Sequence, residues 1–160
     1  MVGAGVSALL IDLVGHGYRA LAAVDLSAVA LDQLRVRLGA EADVVEFICA
    51  DGREVRFDQP IRVWHDRAMF HFFTDPADQQ RYVQRVEDAV APGGHLVLAT
   101  FAADGPESCS GLPVTRNSAE DLAEMFRGSF DLVDSTTRDH VTPWGAAQSF
   151  THALFARRSS

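Results

Sequence analysis

The first residues of the chain carry a glycine pattern that could bind a nucleotide-like ligand. Residues 3–8, GAGVSA, fit the pattern G-x-G-x-x-G/A at the start of a helical segment. Glycines at such positions permit a tight turn and let a ligand approach the backbone. Asp25 follows about 20 residues later, where its carboxylate could accept hydrogen bonds from ribose hydroxyls. Taken singly, the glycines also fit a simple turn, and Asp25 also fits a helix-capping acid before Ser27.

A second segment, residues 64–73 (WHDRAMFHFF), places ionisable side chains among aromatic ones. His71 could act as a general base, since the ordinary pKa of histidine is about 6.5. Asp66 could orient an amine or accept its proton, and Arg67 could bind a substrate carboxylate through two hydrogen bonds. The structural alternatives are an ion pair between Asp66 and Arg67 and a buried His71. The apolar residues of the segment are expected in the core: Met69, Phe70, Phe72 and Phe73.

The order of predicted elements indicates how these residues are positioned. Four segments have helical spacing or helix-capping signals: 6–14, 27–39, 76–90 and 118–127. Six segments are predicted as strands: 20–26, 44–50, 61–65, 95–101, 130–139 and 147–157. Alternating strands and helices favour a parallel α/β sheet, whereas two final strands without a helix between them must pair antiparallel. The predicted fold class is a doubly wound, mostly parallel sheet with an antiparallel C-terminal strand pair, and residues 105–113 are predicted as a long loop.

The composition limits the classes of function. The 160 residues suit one domain, and 48% hydrophobic with 22% charged residues is ordinary for a globular protein. A net charge of −8 repels phosphate backbones, so nucleic acid is not an expected partner. The chain contains neither an apolar run of the ~18–20 residues that a membrane helix needs nor a signal-peptide pattern, so we expect a cytoplasmic location and no membrane partner. No spacing indicates a metal site, and Cys49 is expected in the core.

Two cofactors share the glycine pattern, a nicotinamide dinucleotide and S-adenosylmethionine (SAM), and three further features distinguish them. Residues 50–52 (ADG) end a predicted strand, and residues 92–94 (PGG) precede another. The third feature is the final strand pair. In this order, and over nearly the whole chain, the set resembles the class I SAM-dependent methyltransferases. Residues 64–73 resemble the corresponding segment of a group of small bacterial methyltransferases.

The resemblance implies where the cofactor binds. The implied contacts are Gly3, Ala4 and Gly5 at the amino-acid part of SAM, Asp25 and Leu26 at ribose and adenine, Asp51 and Gly52 at the adenine edge, and His65 near the sulfonium. The family's acidic residue before the glycine turn is replaced by Met1, and the strand that normally precedes the turn would lie before it. We therefore expect one methyltransferase-like domain over residues 1–160, truncated at its N-terminus and weak in SAM binding.

The implied function is methyl transfer from SAM to an unidentified nucleophile on a small molecule, with a protein substrate as the other possibility. Asp66, His71 and Arg67 are the candidate catalytic residues, and His140 and Trp144 are further candidate substrate contacts. Two alternatives stay open. One is a non-catalytic, truncated methyltransferase-fold binding domain. The other is an NAD-binding oxidoreductase, which would need a reactive set such as Tyr-x-x-x-Lys in a chain that has no lysine.

Overall fold

A computed structural model describes residues 1–142 and 145–159. The chain divides into two compact units, Met1–Val55 and Arg56–Ser160. In the first unit the elements are α1 (Ala8–Gly15), β1 (Leu21–Asp25), α2 (Ala28–Leu38), a 3-10 helix (Gly39–Val44) and β2 (Val45–Cys49). Strands β1 and β2 are parallel, in a register that runs from Leu21 opposite Val45 to Asp25 opposite Cys49. The predicted strands over 20–26 and 44–50 are therefore confirmed.

Local signals in the sequence explain where α2 begins and ends. The Ser27 hydroxyl accepts a hydrogen bond from the Ala30 N–H at 3.2 Å, which caps the first turn. Gly39 ends the helix with a φ of 56°, a backbone conformation that favours glycine. Between them α2 buries three leucines at helical spacing: Leu31, Leu34 and Leu38. These leucines share one core cluster with Ala23 of β1 and Val45 of β2.

The residues before the glycine turn lie alongside β1. Val2 forms a parallel bridge to Val24. The Val24 N–H donates to the Met1 carbonyl at 2.9 Å, and the Ala4 N–H donates to the Val24 carbonyl at 3.0 Å. Because parallel neighbours point the same way, this pairing places the glycine turn at the carboxyl end of β1. Helix α1 begins at Ala8, two residues after the predicted start at residue 6.

The second unit is built on a four-stranded sheet. Its elements are β3 (Ile61–Arg67), a 3-10 turn (Phe70–Phe72), α3 (Pro76–Ala89), β4 (Val90–Phe101), β5 (Ser108–Cys109), β6 (Leu112–Pro113), α4 (Ala119–Phe126), β7 (Phe130–Val141) and β8 (Ala147–Arg157). The sheet order is β3-β4-β8-β7, with β3 parallel to β4 and the other two pairs antiparallel. The antiparallel C-terminal pair is confirmed, although Pro143 and Trp144, which follow β7 in the sequence, lie outside the described residues.

Amphipathic helices bury one face of this sheet. The Asp75 carboxylate accepts a hydrogen bond from the Ala77 N–H at 2.8 Å, and Pro76 follows it as the first residue of α3. A capping box between Ser118 and Asp121 starts α4. The largest side chains of the resulting core are fully buried: Trp64, Phe70, Tyr82, Phe126, Phe130 and Phe155. No helix among the described residues is long and apolar enough to cross a membrane.

Two element boundaries differ from those predicted. Strand β3 runs two residues further, to Arg67. Strand β4 begins at Val90, directly after α3, instead of at residue 95. The chain turns at Gly93, whose φ is 72°, and it passes so close to Arg62 that a Cβ on Gly94 would lie 2.8 Å from its carbonyl. Glycine is required here because of this close approach.

Two other expectations were wrong. Residues 105–113 contain the two-stranded hairpin β5–β6 instead of an unstructured loop. Its two turn residues, Ser110 and Gly111, both have positive φ, which is the conformation of the tight hairpin turn that matches strand twist. Cys49 is exposed instead of buried, since it is the last residue of β2 and its side chain points away from the core.

Candidate functional site

The glycine turn of the first unit has the conformation that a cofactor-binding turn requires. Gly3 and Gly5 have φ values of 62° and 50°, a region that other residues rarely adopt. A Cβ added to Gly5 would meet nothing within 4 Å, so open space lies above the turn. The Gly5 N–H donates to Asp25 Oδ2 at 2.7 Å. The two features predicted from the sequence, the turn and the acid that ends β1, are therefore joined directly.

The carboxylate of Asp25 retains the capacity to accept further hydrogen bonds. Its Oδ1 accepts from the Ser27 N–H at 2.8 Å, and its Oδ2 accepts from Gly5. Each carboxylate oxygen has two lone pairs, so each can still accept one hydroxyl proton. The neighbouring Leu26 is 72% exposed and is free to cover a ring. This arrangement fits the ribose and base of SAM, with the open space above Gly5 available to its amino-acid part.

The carboxylate of Asp51 is already occupied by a partner that sequence analysis missed. Arg53 donates to both of its oxygens from Nε at 3.0 and 3.1 Å, and from its terminal nitrogen to Oδ2 at 2.5 Å. The Arg53 N–H adds a bond to Oδ1 at 2.8 Å. The Arg53 hydrogen bonds hold the pKa of Asp51 below its usual value. An adenine amine would therefore have to displace Arg53. In the sequence, the only sign of this ion pair was an arginine two residues after the acid.

His65 lies near the end of β3 in the second unit. Its ring is half-buried, and its Nδ1 has no hydrogen-bond partner among the residues that the structure describes. Burial lowers the pKa of His65 to about 4, so the ring is neutral at pH 7. The predicted cofactor contact of its backbone stays a prediction.

Asp66 belongs to a buried chain of hydrogen bonds. The Trp64 indole N–H donates to the Tyr82 hydroxyl at 2.8 Å, and that hydroxyl donates to Asp66 Oδ2 at 2.6 Å. Asp66 Oδ1 accepts from the Met69 N–H at 3.1 Å. Burial raises the pKa of Asp66 to about 6, against the opposing effect of the hydrogen bond from Tyr82. Sequence analysis missed Tyr82, which α3 brings to the sheet.

The burial of Asp66 corrects two expectations. Neighbouring residues of a strand point to opposite faces, so Asp66 is fully buried while Arg67 is exposed. The ion pair between them, considered from the sequence, is not formed. Nor does Asp66 reach a substrate in this conformation, since both its oxygens are bonded inside the core. It holds the backbone after β3 through its bond to Met69, which makes it a positioning residue.

His71 is enclosed by aromatic rings. It stacks on Phe101 with ring centroids 4.4 Å apart and lies edge-on to Phe72 at 4.6 Å. The residue is fully buried, and neither ring nitrogen has a hydrogen-bond partner within the described part of the chain. Burial lowers the pKa of His71 to about 4. The buried imidazole is therefore neutral at pH 7 and a weak base, and the expected contact with substrate is absent here because the ring is closed to solvent.

The other candidate substrate contacts differ in exposure. Arg67 and His140 are exposed on β3 and β7. The His140 ring lies edge-on to Phe150, with centroids 6.4 Å apart. Trp144 lies outside the described residues. Of the three predicted catalytic residues, only Arg67 therefore presents its side chain to solvent.

Comparison with a protein family identifies the class of this chain. The sequence profile of a family described as a methyltransferase domain matches residues 1–94, more than half of the chain. The chain therefore belongs to this family of methyltransferase domains. No curated protein matches it.

Solved structures agree with the family. A SAM-dependent methyltransferase from Methanosarcina mazei superposes with a TM-score of 0.80 at 13% identity, over 99% of this chain and 91% of that one. A 1,6-didemethyltoxoflavin-N1-methyltransferase from Burkholderia thailandensis, bound to S-adenosylhomocysteine, gives 0.77 at 22% identity, over 99% and 69%. The N-methyltransferase NodS from Bradyrhizobium japonicum, also bound to S-adenosylhomocysteine, gives 0.74 at 14%, over 98% and 75%. The predictions of a class I fold and of a SAM-dependent methyltransferase are confirmed, and the oxidoreductase alternative is not supported.

Proposed function

We propose that this chain transfers a methyl group from SAM to a nucleophile on a small molecule. The observation that carries the proposal is the bond between the Gly5 N–H and the Asp25 carboxylate, at 2.7 Å, in a chain of the methyltransferase family. That bond holds the glycine turn next to Asp25 and leaves lone pairs of the carboxylate to accept hydrogen bonds from a ligand. The small-molecule acceptor is favoured by the Burkholderia relative, which is bound to 1,6-didemethyltoxoflavin.

The residues of the first unit would hold the cofactor. The backbone of Gly3, Ala4 and Gly5 would contact its amino-acid part, and Asp25 would accept hydrogen bonds from its ribose hydroxyls. Leu26 would cover the adenine. Asp51 and Gly52 would take the adenine edge once Arg53 has moved from the carboxylate. When bound, SAM supplies an electrophilic methyl group on its sulfonium.

The residues of the second unit would bind and orient the acceptor. Methyl transfer depends mainly on holding the nucleophile in line at near-attack distance, so positioning matters more than acid–base help. Arg67 is exposed and would bind an anionic group of the acceptor. His71, neutral at pH 7, would take a proton from an acceptor that arrives protonated, after the residues that cover it have moved. Asp66 would fix the backbone that carries both.

Calorimetric titration of the 160-residue chain with S-adenosylhomocysteine, with NAD⁺ in parallel, tests the proposal. Saturable binding of S-adenosylhomocysteine alone is expected. Asp25→Asn should weaken the binding of S-adenosylhomocysteine by roughly tenfold. The uncharged amide accepts hydrogen bonds from Gly5 and from a ribose hydroxyl more weakly than a carboxylate does. Asp32→Asn is the matched control, since Asp32 is exposed on α2 and, among the described residues, forms its ion pair with Arg35. Binding of NAD⁺ instead, or silence from a chain that circular dichroism shows to be folded, would contradict the proposal.

A further inference from the structure

Strand β7 forms one edge of the four-stranded sheet of the second unit. In the described structure its only strand partner is β8, and every residue of β7 after Phe130 is exposed. With 12 residues this strand is long, since strands have about five to six residues on average. The unpaired N–H and C=O groups of such an edge can form hydrogen bonds with the edge of another chain.

The ladder between β7 and β8 shows which backbone groups of β7 point outward. Directly after β7, the Thr142 N–H donates to the Ala146 carbonyl at 2.9 Å, so these two residues are a hydrogen-bonded pair. Such pairs recur at every second residue of an antiparallel ladder, and the register is unbroken from Val141 back to Asp134. Even-numbered residues therefore bond to β8, and the N–H and C=O groups of the odd-numbered residues point outward: Ser135, Thr137, Asp139 and Val141.

The hydrogen bond of Ser135 agrees with this assignment. Its N–H donates to Asp134 Oδ1 at 2.8 Å, a side-chain acceptor on the same strand, and not to β8. The strand is irregular on the other side of Asp134, because the register shifts between Leu132 and Asp134 and leaves Val133 as a β-bulge. The regular part of the open edge therefore begins at Asp134.

The regular part of the edge carries two opposite charges. Asp134 and Arg138 are both exposed, and they lie on the same face of β7 because they are four residues apart. Arg138 forms no ion pair within the part of the chain that the structure describes. The segment 134–138 (DSTTR) is thus neutral in a chain of net charge −8. It adds nothing to the repulsion between two copies of this acidic chain.

Antiparallel pairing of two copies about Thr136 matches both the charges and the backbone groups of this segment. Each Asp134 lies opposite Arg138 of the other copy, so two pairs of opposite charge form. Each Ser135 lies opposite Thr137 of the other copy, and these are the residues whose N–H and C=O groups point outward. A pairing centred on Thr137 would place Arg138 opposite Thr136 and lose both charge pairs.

We propose that this protein forms a dimer in which the β7 edges of two copies pair antiparallel about Thr136. On pairing, the Ser135 N–H exchanges its bond to Asp134 for the Thr137 carbonyl of the other copy, which frees the carboxylate for Arg138. The contact uses the same segment of both copies, so it closes at two copies and leaves neither β7 edge open. The inference does not depend on the proposed function, because residues 134–138 belong to neither the proposed cofactor site nor the proposed acceptor site.

Sedimentation equilibrium of the 160-residue chain over a range of concentrations tests the proposal, and a monomer–dimer equilibrium is expected. Arg138→Asp would place two carboxylates opposite each other at both ends of the paired segment, and Asp134→Arg would place two guanidinium groups there. Each variant should weaken dimerisation by roughly tenfold, because attractive pairs become repulsive. Arg81→Asp, at an exposed arginine of α3, makes the same change of net charge as Arg138→Asp and should leave dimerisation nearly unchanged.

An equimolar mixture of Arg138→Asp and Asp134→Arg gives the sharper test. In a mixed dimer, position 134 of each copy meets an opposite charge at position 138 of the other. The mixture should therefore dimerise about as well as the parent chain, although neither variant does so alone. Mixing would not reverse a loss of folding or a general effect of net charge.

Amide exchange followed by NMR locates the interface on the backbone. Protection of the Thr137 N–H should rise with protein concentration, whereas the Thr136 N–H, already bonded to β8, should change little. A chain that stays monomeric at every concentration would overturn the proposal. So would a dimer in which Arg138→Asp behaves like Arg81→Asp, or in which the mixture does not recover, since the two copies would then meet at another surface.

Discussion

Tyr82 donates a hydrogen bond of 2.6 Å to the buried carboxylate of Asp66 and accepts one of 2.8 Å from Trp64. The hydroxyl therefore satisfies two buried polar groups that lie on the sheet, while Tyr82 itself belongs to α3. Removing this oxygen leaves a buried donor and a buried acceptor without their partner. Such groups are costly because they have lost water without gaining a replacement.

We expect Tyr82→Phe to lower the free energy of unfolding by about 2–4 kcal/mol, the sum of two unsatisfied buried groups. Urea unfolding followed by circular dichroism measures the change. Tyr18→Phe removes a hydroxyl from a residue that is 57% exposed and should alter stability by less than about 0.5 kcal/mol. Equal stability of the two variants would show that the hydrogen-bond chain contributes nothing.

The buried position of His71 should lower the free energy of unfolding of the protein. Its two ring nitrogens are buried without hydrogen-bond partners in the described structure, next to the ring of Phe101. We expect His71→Phe to raise the free energy of unfolding by about 1–2 kcal/mol, because it removes both unsatisfied atoms and keeps a stacked ring. If His71 accepts the acceptor's proton, the same variant should lose methyl transfer while S-adenosylhomocysteine binding is retained. Full activity of the variant would contradict the proposed role in methyl transfer, whatever its stability. A loss of stability would contradict the cost assigned to the two buried nitrogens.

The buried histidines and Asp66 make opposing contributions to the pH dependence of stability. His65 and His71 titrate near 4 in the folded chain and near 6.5 when unfolded, so the unfolded state binds more protons between these values. Stability from these two groups therefore falls as the pH drops from about 6.5 to 4. Asp66, with a folded pKa of about 6 against 3.8, contributes stability that is complete below about 3.8 and is lost as the pH rises through 6.

Two histidines outweigh one carboxyl, so we expect net stability to fall on acidification from pH 6.5 to 4. Asp66→Asn removes the compensating group and should make this fall steeper. Urea unfolding at several pH values in this range, on both proteins, gives the two slopes. Superimposable profiles would show that Asp66 does not change its protonation in this range.

The predicted fold depended on local signals, and these were reliable because they act over a few residues. Ser27 before α2, and Asp75 with Pro76 before α3, marked the helix starts where the structure has them. The spacing of about 20 residues between the glycine pattern and Asp25 predicted that both serve one cofactor, but the hydrogen bond between Gly5 and Asp25 was not predicted. The Trp64–Tyr82–Asp66 chain could not be predicted in this way, since it joins residues 16 to 18 positions apart through the packing of α3 on β3.

The burial of Asp66 was missed for a specific reason. The strand was predicted to end at residue 65, so Asp66 and Arg67 were assigned to a loop at a site. Because β3 continues to Arg67, its side chains alternate strictly between the two faces of the sheet. Asp66 therefore shares the buried face with Trp64, and Arg67 lies on the opposite face. A boundary error of two residues thus changed a positioning residue into an apparent catalytic one.

The pair of Asp51 and Arg53 leads to a prediction about cofactor affinity. Arg53 occupies the acceptor sites of the carboxylate that is expected to bind the adenine edge, and its side chain is about one quarter exposed. A partly exposed ion pair stabilises the protein by no more than about 1 kcal/mol, so its loss is tolerable for folding. We therefore expect Arg53→Gln to bind S-adenosylhomocysteine several-fold more tightly than the parent chain.

The control for this prediction is the double variant Asp51→Asn/Arg53→Gln, measured by the same calorimetric titration. Without the carboxylate, the gain in affinity from Arg53→Gln should disappear, because no released acceptor remains for the adenine amine. Thermal unfolding of each variant establishes that the chains compared are equally folded. A gain that persists in the double variant would show that Arg53 hinders the ligand sterically, and that Asp51 does not accept from the adenine.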